Sequence, residues 1–304
     1  MYKHKRIISI LLFILSWSYL LYKLCTYQDY NLLFSNLKSL QWSNYLYLLA
    51  ILLLMPLNLW FEIRKWHICV NKLEQQSFLA SFRQVILGNA AAFITPYRLG
   101  EHPSRAYYLE DKDLFFSAMI LGFIGAMALE FINVGIGLPA AVFYFNNSQV
   151  NIIWFVYGLI LALLLVLFLM LPKFGRLLAE HKNSQQVKQV VNMLSMLTKR
   201  FQLRLILLSL LRYAVYSLQL YLALRFFNIH LTLLQALVAI PTYYMLVSVT
   251  PSLPIADAAI RGSWSVVVFQ AYTYDTPTIA FAAVLLWLIN TALPLIAVPF
   301  VKKQ

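Results

Sequence analysis

Residues 95–105 read TPYRLGEHPSR, and residues 250–261 read TPSLPIADAAIR. In each stretch an apolar run stops at Thr-Pro, an acid follows within a few residues, and an arginine stands four positions after the acid. The two copies comprise Thr95, Pro96, Glu101 and Arg105, then Thr250, Pro251, Asp257 and Arg261. Proline lacks an N–H and disfavours helix in the residue before it, so both stretches predict a break between two helices.

The composition indicates a protein embedded in a membrane. Of the 304 residues, 62% are apolar and 12% are charged, whereas soluble domains carry about 25% charged residues. The mean hydropathy is +0.72. We predict an all-α polytopic membrane protein, with a single integral membrane domain over residues 1–304 because apolar segments and short connections use nearly the whole length.

Six apolar runs are long enough to cross a bilayer, which takes about 20 residues. They are residues 7–24, 44–63, 114–145, 150–171, 203–227 and 276–300. We interpret 114–145 as one long helix in preference to a short pair. Two further segments, 78–110 and 232–275, contain the Thr-Pro breaks and are predicted to be re-entrant helical hairpins. Plain seventh and eighth spans are the alternative, because hydropathy does not separate a hairpin from a crossing.

The lysines and arginines predict the orientation. Most of these 24 residues fall in connections on one side of this scheme, and the positive-inside rule makes that side cytoplasmic, with both termini there. The net charge of +13 therefore follows from topology and can attract anionic membrane lipids, and no nucleic-acid partner is expected. Apolar positions at helical spacing among basic residues over 177–202 predict an amphipathic helix on the inner surface.

The breaks divide the chain into halves, about 1–148 and 149–304. The orientation predicts that the first hairpin enters from the cytoplasm and the second from outside, so that the halves form an inverted repeat. Transporters of this type bring broken helices together near mid-membrane to build their binding site.

Each break is expected to line an internal cavity, because irregular backbone at membrane depth needs protein or water around it. The residues predicted to shape the hairpins are Asn89, Thr95, Pro96, Thr250, Pro251 and Pro254. Pro254 suits the first turn of the helix after the break, and such helix ends favour anions such as phosphate.

Ionisable side chains in apolar runs are candidate binding residues, because they cost several kcal/mol there unless paired or hydrated. The candidates are Arg98, Glu101, Arg105, Glu130, Arg212, Asp257 and Arg261. Arginine forks suit phosphate oxygens, and the acids can position them or exchange a proton. Structural salt bridges within the hairpins are the alternative. Glu130 and Arg212 have opposite signs, which suggests pairing with each other or with Arg261 and Asp257.

Signals for an enzyme are weak. The five histidines lack metal-ligand spacing, and there is no glycine-rich phosphate loop. Cys25 and Cys69 fall at opposite ends of two predicted spans, so no disulfide is expected. We expect no metal, no cofactor and no catalytic residue.

The first break resembles a known family signature. Asn89, followed by Pro96, Arg98, Gly100, Glu101 and Arg105, is similar to the Asn…Pro-x-Arg-x-Gly-Glu-x-x-x-Arg pattern of the lysylphosphatidylglycerol synthase transmembrane (flippase-like) family. At the second break the family has Gly-x-Arg-Glu after a proline, and residues 259–262 keep only the arginine, Arg261. The resemblance implies an inner-membrane protein that moves or binds a lipid with an anionic or glycosylated headgroup. Lysyl transfer is not expected, because the soluble transferase domain of the full synthases is not in this sequence.

The function predicted from these observations is a flippase-like lipid transporter. Two alternatives remain open at this point. One is an intramembrane enzyme that acts on a lipid-linked substrate, and the other is an accessory membrane subunit with a membrane-bound enzyme as its partner.

Overall fold

The computed structural model describes residue 38 and residues 40–145, 148–178, 185–195, 197–251 and 254–301, so the predicted span over 7–24 lies outside it. Within these ranges the protein is all-helical, with no strand. The α-helices, numbered in order, are α1 (Trp42–Val70), α2 (Phe78–Ile94), α3 (Glu101–Tyr107), α4 (Phe115–Phe145), α5 (Ser148–Leu178), α6 (Gln185–Ser195), α7 (Lys199–Phe226), α8 (Leu233–Val249), α9 (Pro254–Phe269) and α10 (Thr276–Trp287). Short 3-10 turns cover Pro96–Arg98 and Lys112–Leu114, and α10 continues as a π-helical turn, Leu288–Ala292, and a 3-10 segment, Leu293–Phe300.

Five helical segments in these ranges are long and apolar enough to cross a membrane. They are Trp42–Val70, Lys112–Phe145, Phe155–Lys173, Lys199–Phe226 and Thr276–Phe300. They correspond to the five predicted spans after the first. The prediction of one helix over 114–145 is confirmed, because α4 continues through Pro139 without a break.

The two shorter apolar helices, α2 and α8, have 17 residues each. A helix of this length extends about 25 Å, less than the hydrocarbon core of roughly 30 Å. The hydroxyls of Ser77 and Thr232 cap their first turns, and both helices end at the Thr-Pro sequences. The helix–break–helix pattern is therefore present in both halves, and re-entry into the membrane stays a prediction.

The helices on either side of the hairpins pack across the two halves. α1 lies along α7, α4 lies along α8, and α2 contacts the segment Leu293–Phe300 after α10. At the α4–α8 contact a Cβ on Gly137 would lie 2.4 Å from the Cβ of Met245 and 2.7 Å from the Pro241 carbonyl oxygen. Glycine thus allows a close helix approach of the kind that stabilises membrane bundles.

The outer surface matches a lipid environment around α5. The spanning part of this helix is mostly exposed and apolar, with Phe155, Leu159 and Leu163 among its exposed side chains. The chain is an integral membrane protein.

The amphipathic helix expected within 177–202 corresponds to α6, and part of its apolar face packs against the protein. Val191 and Met193 of α6 are buried, as is Leu197 just after the helix, and Met193 and Leu197 belong to an apolar cluster with Phe168 of α5. Contacts between α6, α5 and α4 cover this face because the connection folds back onto the bundle.

Candidate functional site

Glu62 of α1 occupies the centre of a buried ion-pair cluster. Its Oε1 lies 2.8 Å from Nη1 of Arg105, its Oε2 lies 3.0 Å from Nζ of Lys65, and Oε2 also pairs with Nη1 of Arg212. The Glu62 carboxylate therefore forms ion pairs with side chains of three helices, α1, α3 and α7.

Arg105 of α3 is 1% exposed and makes contacts on several sides. Its Nη2 lies 2.5 Å from Glu101 Oε1 and donates to Asn89 Oδ1 at 3.5 Å, and the guanidinium lies over the ring of Trp66. A Cβ on Gly88 of α2 would lie 2.6 Å from Arg105 Cγ, so glycine makes room for this side chain. The structure confirms that Glu101 and Arg105 share one helix face, despite Pro103 between them.

The first break has an unusual backbone. Tyr97 and Arg98 have φ angles of 55° and 56°, the left-handed region that non-glycine residues rarely adopt. Thr95 closes the end of α2, because its hydroxyl donates to the Ala91 carbonyl at 2.7 Å and accepts from the Gly100 N–H at 2.9 Å. Such conformations persist where surrounding contacts impose them, often at functional sites.

The second break repeats the threonine contact. The Thr250 hydroxyl donates to the Leu246 carbonyl at 2.6 Å and accepts from the Trp264 indole at 2.9 Å. In α9, which begins at Pro254, Arg261 Nε lies 3.2 Å from Asp257 Oδ2. The same Asp257 oxygen accepts from the Trp287 indole of α10 at 2.8 Å.

One cleft is lined by residues from both halves of the chain. Arg98 and Thr95 line it from the first half, and Asp257, Trp287 and Thr291 line it from the second. Phe93 of α2 stacks on Trp287, with ring centroids 6.2 Å apart. The cleft therefore joins the first Thr-Pro turn to the acid that follows the second one, while convergence of the two turns themselves stays a prediction.

Arg212 and Glu130 form neither of the two suggested pairings, with each other or with Asp257 and Arg261. Arg212 pairs with Glu62, and its Nε donates to Asn58 Oδ1 at 3.0 Å. Glu130 accepts from Asn133 at 3.5 Å and forms no ion pair with any residue that the structure describes. The reason is spatial, because α1 places Glu62 closer to Arg212 than the acids of α4 and α9.

Glu62 and Lys65 are the cluster residues that sequence reasoning missed. The predicted span ends at residue 63, before Lys65, but α1 continues to Val70 and buries Lys65 at 4% exposure. An acid and a lysine three positions apart at the end of an apolar run were the available signal. That spacing places both on one helix face.

The cluster forms a chain of alternating charges. Arg98 pairs with Glu101 at 2.8 Å, Glu101 with Arg105, Arg105 with Glu62, and Glu62 with Arg212. With Lys65, four cations share two carboxylates. An additional anion would therefore be favoured electrostatically beside this chain.

Glu101 and His102 of α3, which lies outside the five spanning helices, have different charge states at neutral pH. Burial opposes the charge of Glu101, but Arg98 and Arg105 outweigh it and lower the pKa of Glu101 to about 2. Burial lowers the pKa of His102 to about 4, although Glu101 offsets part of the effect. At neutral pH Glu101 is ionised and His102 is uncharged.

Metal-binding geometry is not found in the ranges that the structure covers, where no three His, Cys, Asp or Glu side chains converge. The ion-pair chain consists of arginine, lysine and carboxylate groups, which suit an anionic headgroup.

Comparison with known protein families gives one finding. The family model described as "Lysylphosphatidylglycerol synthase TM region" matches residues 6–298, nearly the whole chain. The comparisons with curated proteins and with solved structures gave no match.

Proposed function

This chain belongs to the lysylphosphatidylglycerol synthase TM region family, and from that premise we propose that it binds an anionic lipid headgroup and carries it across the bilayer. It is a membrane protein associated with lipid metabolism or transport. The observation that carries the proposal is the alternating ion-pair chain, in which four cations share two carboxylates and an arginine stands at each end.

The two terminal arginines are accessible, whereas the interior of the chain is not. The side chains of Arg98 and Arg212 are 48% and 25% exposed, and that of Arg105 is 2% exposed. We assign Arg98 and Arg212 to headgroup contact, and Arg105, Glu101 and Glu62 to holding them in place. A bidentate contact to phosphate oxygens is open to an arginine with a free edge.

Arg261 supplies a further headgroup contact from the second half. Its side chain is 27% exposed, and Asp257 holds it. Asp257 lines the cleft together with Arg98. The proposal places an anionic group between arginines from both breaks, as in transporters whose broken helices meet at the substrate.

In the proposed topology α2 and α8 are the entering arms of two re-entrant hairpins that approach from opposite faces. Their length supports this, because each is shorter than the hydrocarbon core. The proposed location is the cytoplasmic membrane of a bacterial-type cell, with both termini inside.

The test is a vesicle assay with the purified full chain and a fluorescent phosphatidylglycerol. Wild type is expected to move the probe between leaflets, and Arg98→Gln and Arg212→Gln are each expected to lower the rate at least about tenfold, because each removes a charged contact of roughly 1.5–3 kcal/mol. Arg64→Gln is the matched control, since Arg64 is an exposed arginine of α1 outside the ion-pair chain.

Equal rates in wild type, Arg98→Gln and Arg212→Gln would refute the assignment of these arginines. The same vesicles distinguish the alternatives, because mass spectra of an enzyme reaction would contain a covalently altered lipid. We propose that the lipid leaves chemically unchanged and that no cofactor is needed. A partner enzyme retained through purification, together with an inactive isolated chain, would favour an accessory role.

A further inference from the structure

Glu130 stands outside the ion-pair chain. It is the middle residue of the 31-residue α4, which spans the apolar layer. Its side chain is exposed on the helix and has no cationic partner at salt-bridge distance among the residues described. A carboxylate at this depth costs several kcal/mol when it is charged, unless it is paired or hydrated.

The position of Glu130 connects it to the second break. Gly137, which packs against Met245 of α8, lies two helical turns further along the same face of α4. The Glu130 carboxyl lies near Ser248, two residues before Thr250, and the Ser248 hydroxyl donates to the Met245 carbonyl at 3.1 Å. Glu130 therefore lies beside the last turn of α8.

A polar row extends from Glu130 into the bundle. Asn133 Nδ2 donates to the Glu130 carboxylate, and the hydroxyl of Tyr216 in α7 donates to Asn133 Oδ1. The hydroxyl of Tyr244 donates to the Tyr216 carbonyl at 2.9 Å. Such a row supplies hydrogen-bond partners to the carboxyl group without supplying a charge.

The charged and titratable groups that act on Glu130 come from two neighbouring helices. They are Lys65 of α1, and Arg212 and Tyr216 of α7. From α3, His102 meets α4 at Gly122, about 12 Å along the helix from Glu130. The contacts of α5 and α6 with α4 involve apolar side chains such as Phe168 and Met193. Lys65 and Arg212 are also members of the cation-rich chain.

We propose that Glu130 exchanges a proton with water and that its protonation controls capture of the anionic headgroup, so that one proton accompanies each headgroup. This inference rests on the proposed function. When Glu130 is ionised, its carboxylate competes with the headgroup for the field of Lys65 and Arg212. When water delivers a proton to the carboxylate, that competition ends and the phosphate binds. Release on the other side returns the proton to water, so the pair crosses without net charge.

The experiment measures equilibrium binding of fluorescent phosphatidylglycerol to the full chain in phosphatidylcholine nanodiscs, from acid to neutral pH. Wild-type affinity is expected to fall as pH rises, approaching tenfold per pH unit, the limit for one linked proton. Glu130→Gln mimics the protonated acid, so it is expected to bind at the wild-type acid level at every pH. Glu130→Asp is expected to keep the pH dependence. Glu110→Gln, at an exposed acid outside the cluster, is the control and is expected to match wild type.

A second measurement uses vesicles with an imposed pH gradient. When the side that holds the probe is the more acidic one, probe movement by wild type is expected to be faster. The same gradient is expected to leave probe movement by Glu130→Gln unchanged. This inference alone is overturned if wild type binds the probe but Glu130→Gln shows the same pH profile. It is also overturned if the pH gradient does not change the rate of probe movement in wild type. No binding of the probe by wild type at any pH overturns the proposed function and this inference with it.

Discussion

At the scale of single residues, the Glu62 carboxylate is shared by Lys65, Arg105 and Arg212. A buried pair is a weak source of stability by itself, because desolvation offsets much of the Coulombic attraction. Removing one partner of such a pair is strongly destabilising, since it leaves a buried charge uncompensated. The importance of Glu62 therefore lies in the three cations that depend on it.

Glu62→Gln is expected to destabilise the protein by about 3–5 kcal/mol, because buried cations lose their counter-charge while the side-chain volume is kept. Thermal unfolding of the purified protein in detergent measures the change. Glu110→Gln at an exposed acid is the control and is expected to shift the midpoint little. Equal midpoints for both variants would contradict the central position given to Glu62.

The lowered pKa of His102 predicts how the stability of the protein depends on pH. Its pKa is about 4 in the folded protein against an ordinary value of 6.5, so the unfolded chain binds more protons between these values. This contribution to stability is complete above pH 6.5 and is lost as pH falls towards 4, a loss of about 3 kcal/mol.

Unfolding midpoints measured across that range test the prediction. His102→Asn is expected to flatten the loss, whereas His230→Asn at an exposed histidine is expected to leave it unchanged. Glu101 adds a loss of the same sign below its ordinary value of 4.5. A steep loss that persists in His102→Asn would assign it to another group.

At the scale of elements, the contact between α4 and α8 connects the long spanning helix of one half to the hairpin of the other. Glycine at position 137 lets the two backbones approach, since a Cβ there would meet both the Met245 Cβ and the Pro241 carbonyl oxygen. Backbone atoms cannot rotate away as a flexible side chain can, so a larger residue must separate the helices.

Gly137→Ala is therefore expected to destabilise the protein by about 1–3 kcal/mol, the usual cost of overpacking a tight contact. The matched variant is Gly135→Ala on the same helix, where the nearest atom to a new Cβ, on Leu161, lies 4.0 Å away. Gly135→Ala is expected to be neutral or slightly stabilising, because alanine favours helix over glycine. Equal unfolding midpoints for Gly137→Ala and Gly135→Ala would show that α4 and α8 do not pack closely.

At the scale of the whole molecule, Arg98 at the first break and Asp257 after the second line one cleft, although they are about half the chain apart. The contacts of α1 with α7, and of each half's later helix with the other half's hairpin, follow a reciprocal pattern. This pattern supports the proposed inverted repeat, in which the loops that precede α2 and follow α9 lie on opposite sides of the membrane.

Labelling of single cysteines in intact cells tests that arrangement. In a Cys25→Ser, Cys69→Ala background, Tyr274→Cys at a 93% exposed position is expected to react with a membrane-impermeant maleimide added outside. Gln75→Cys, in the exposed loop before α2, is expected to react only after the membrane is opened. Reaction of both from the same side would exclude hairpins that enter from opposite faces.

The sequence by itself determined the class of protein, five of the spans in the described ranges and the position of both breaks. These properties are local, because hydropathy and the missing N–H of proline act through near neighbours along the chain. The ion pair within each hairpin could also be predicted from the sequence, since Glu101 and Arg105, like Asp257 and Arg261, are four residues apart on a helix.

Only the tertiary structure decided which charges meet between helices. Glu62 lies 43 positions from Arg105 and 150 positions from Arg212, and no local pattern specifies such separations. The partner of Arg212 depends on how α1 packs along α7. Among the residues that the structure describes, Arg212 therefore pairs with Glu62 and with neither of the two acids that the sequence suggested, and Glu130 forms no ion pair. Helix packing, which sums many small contacts across the bundle, thereby fixed the electrostatics of the site.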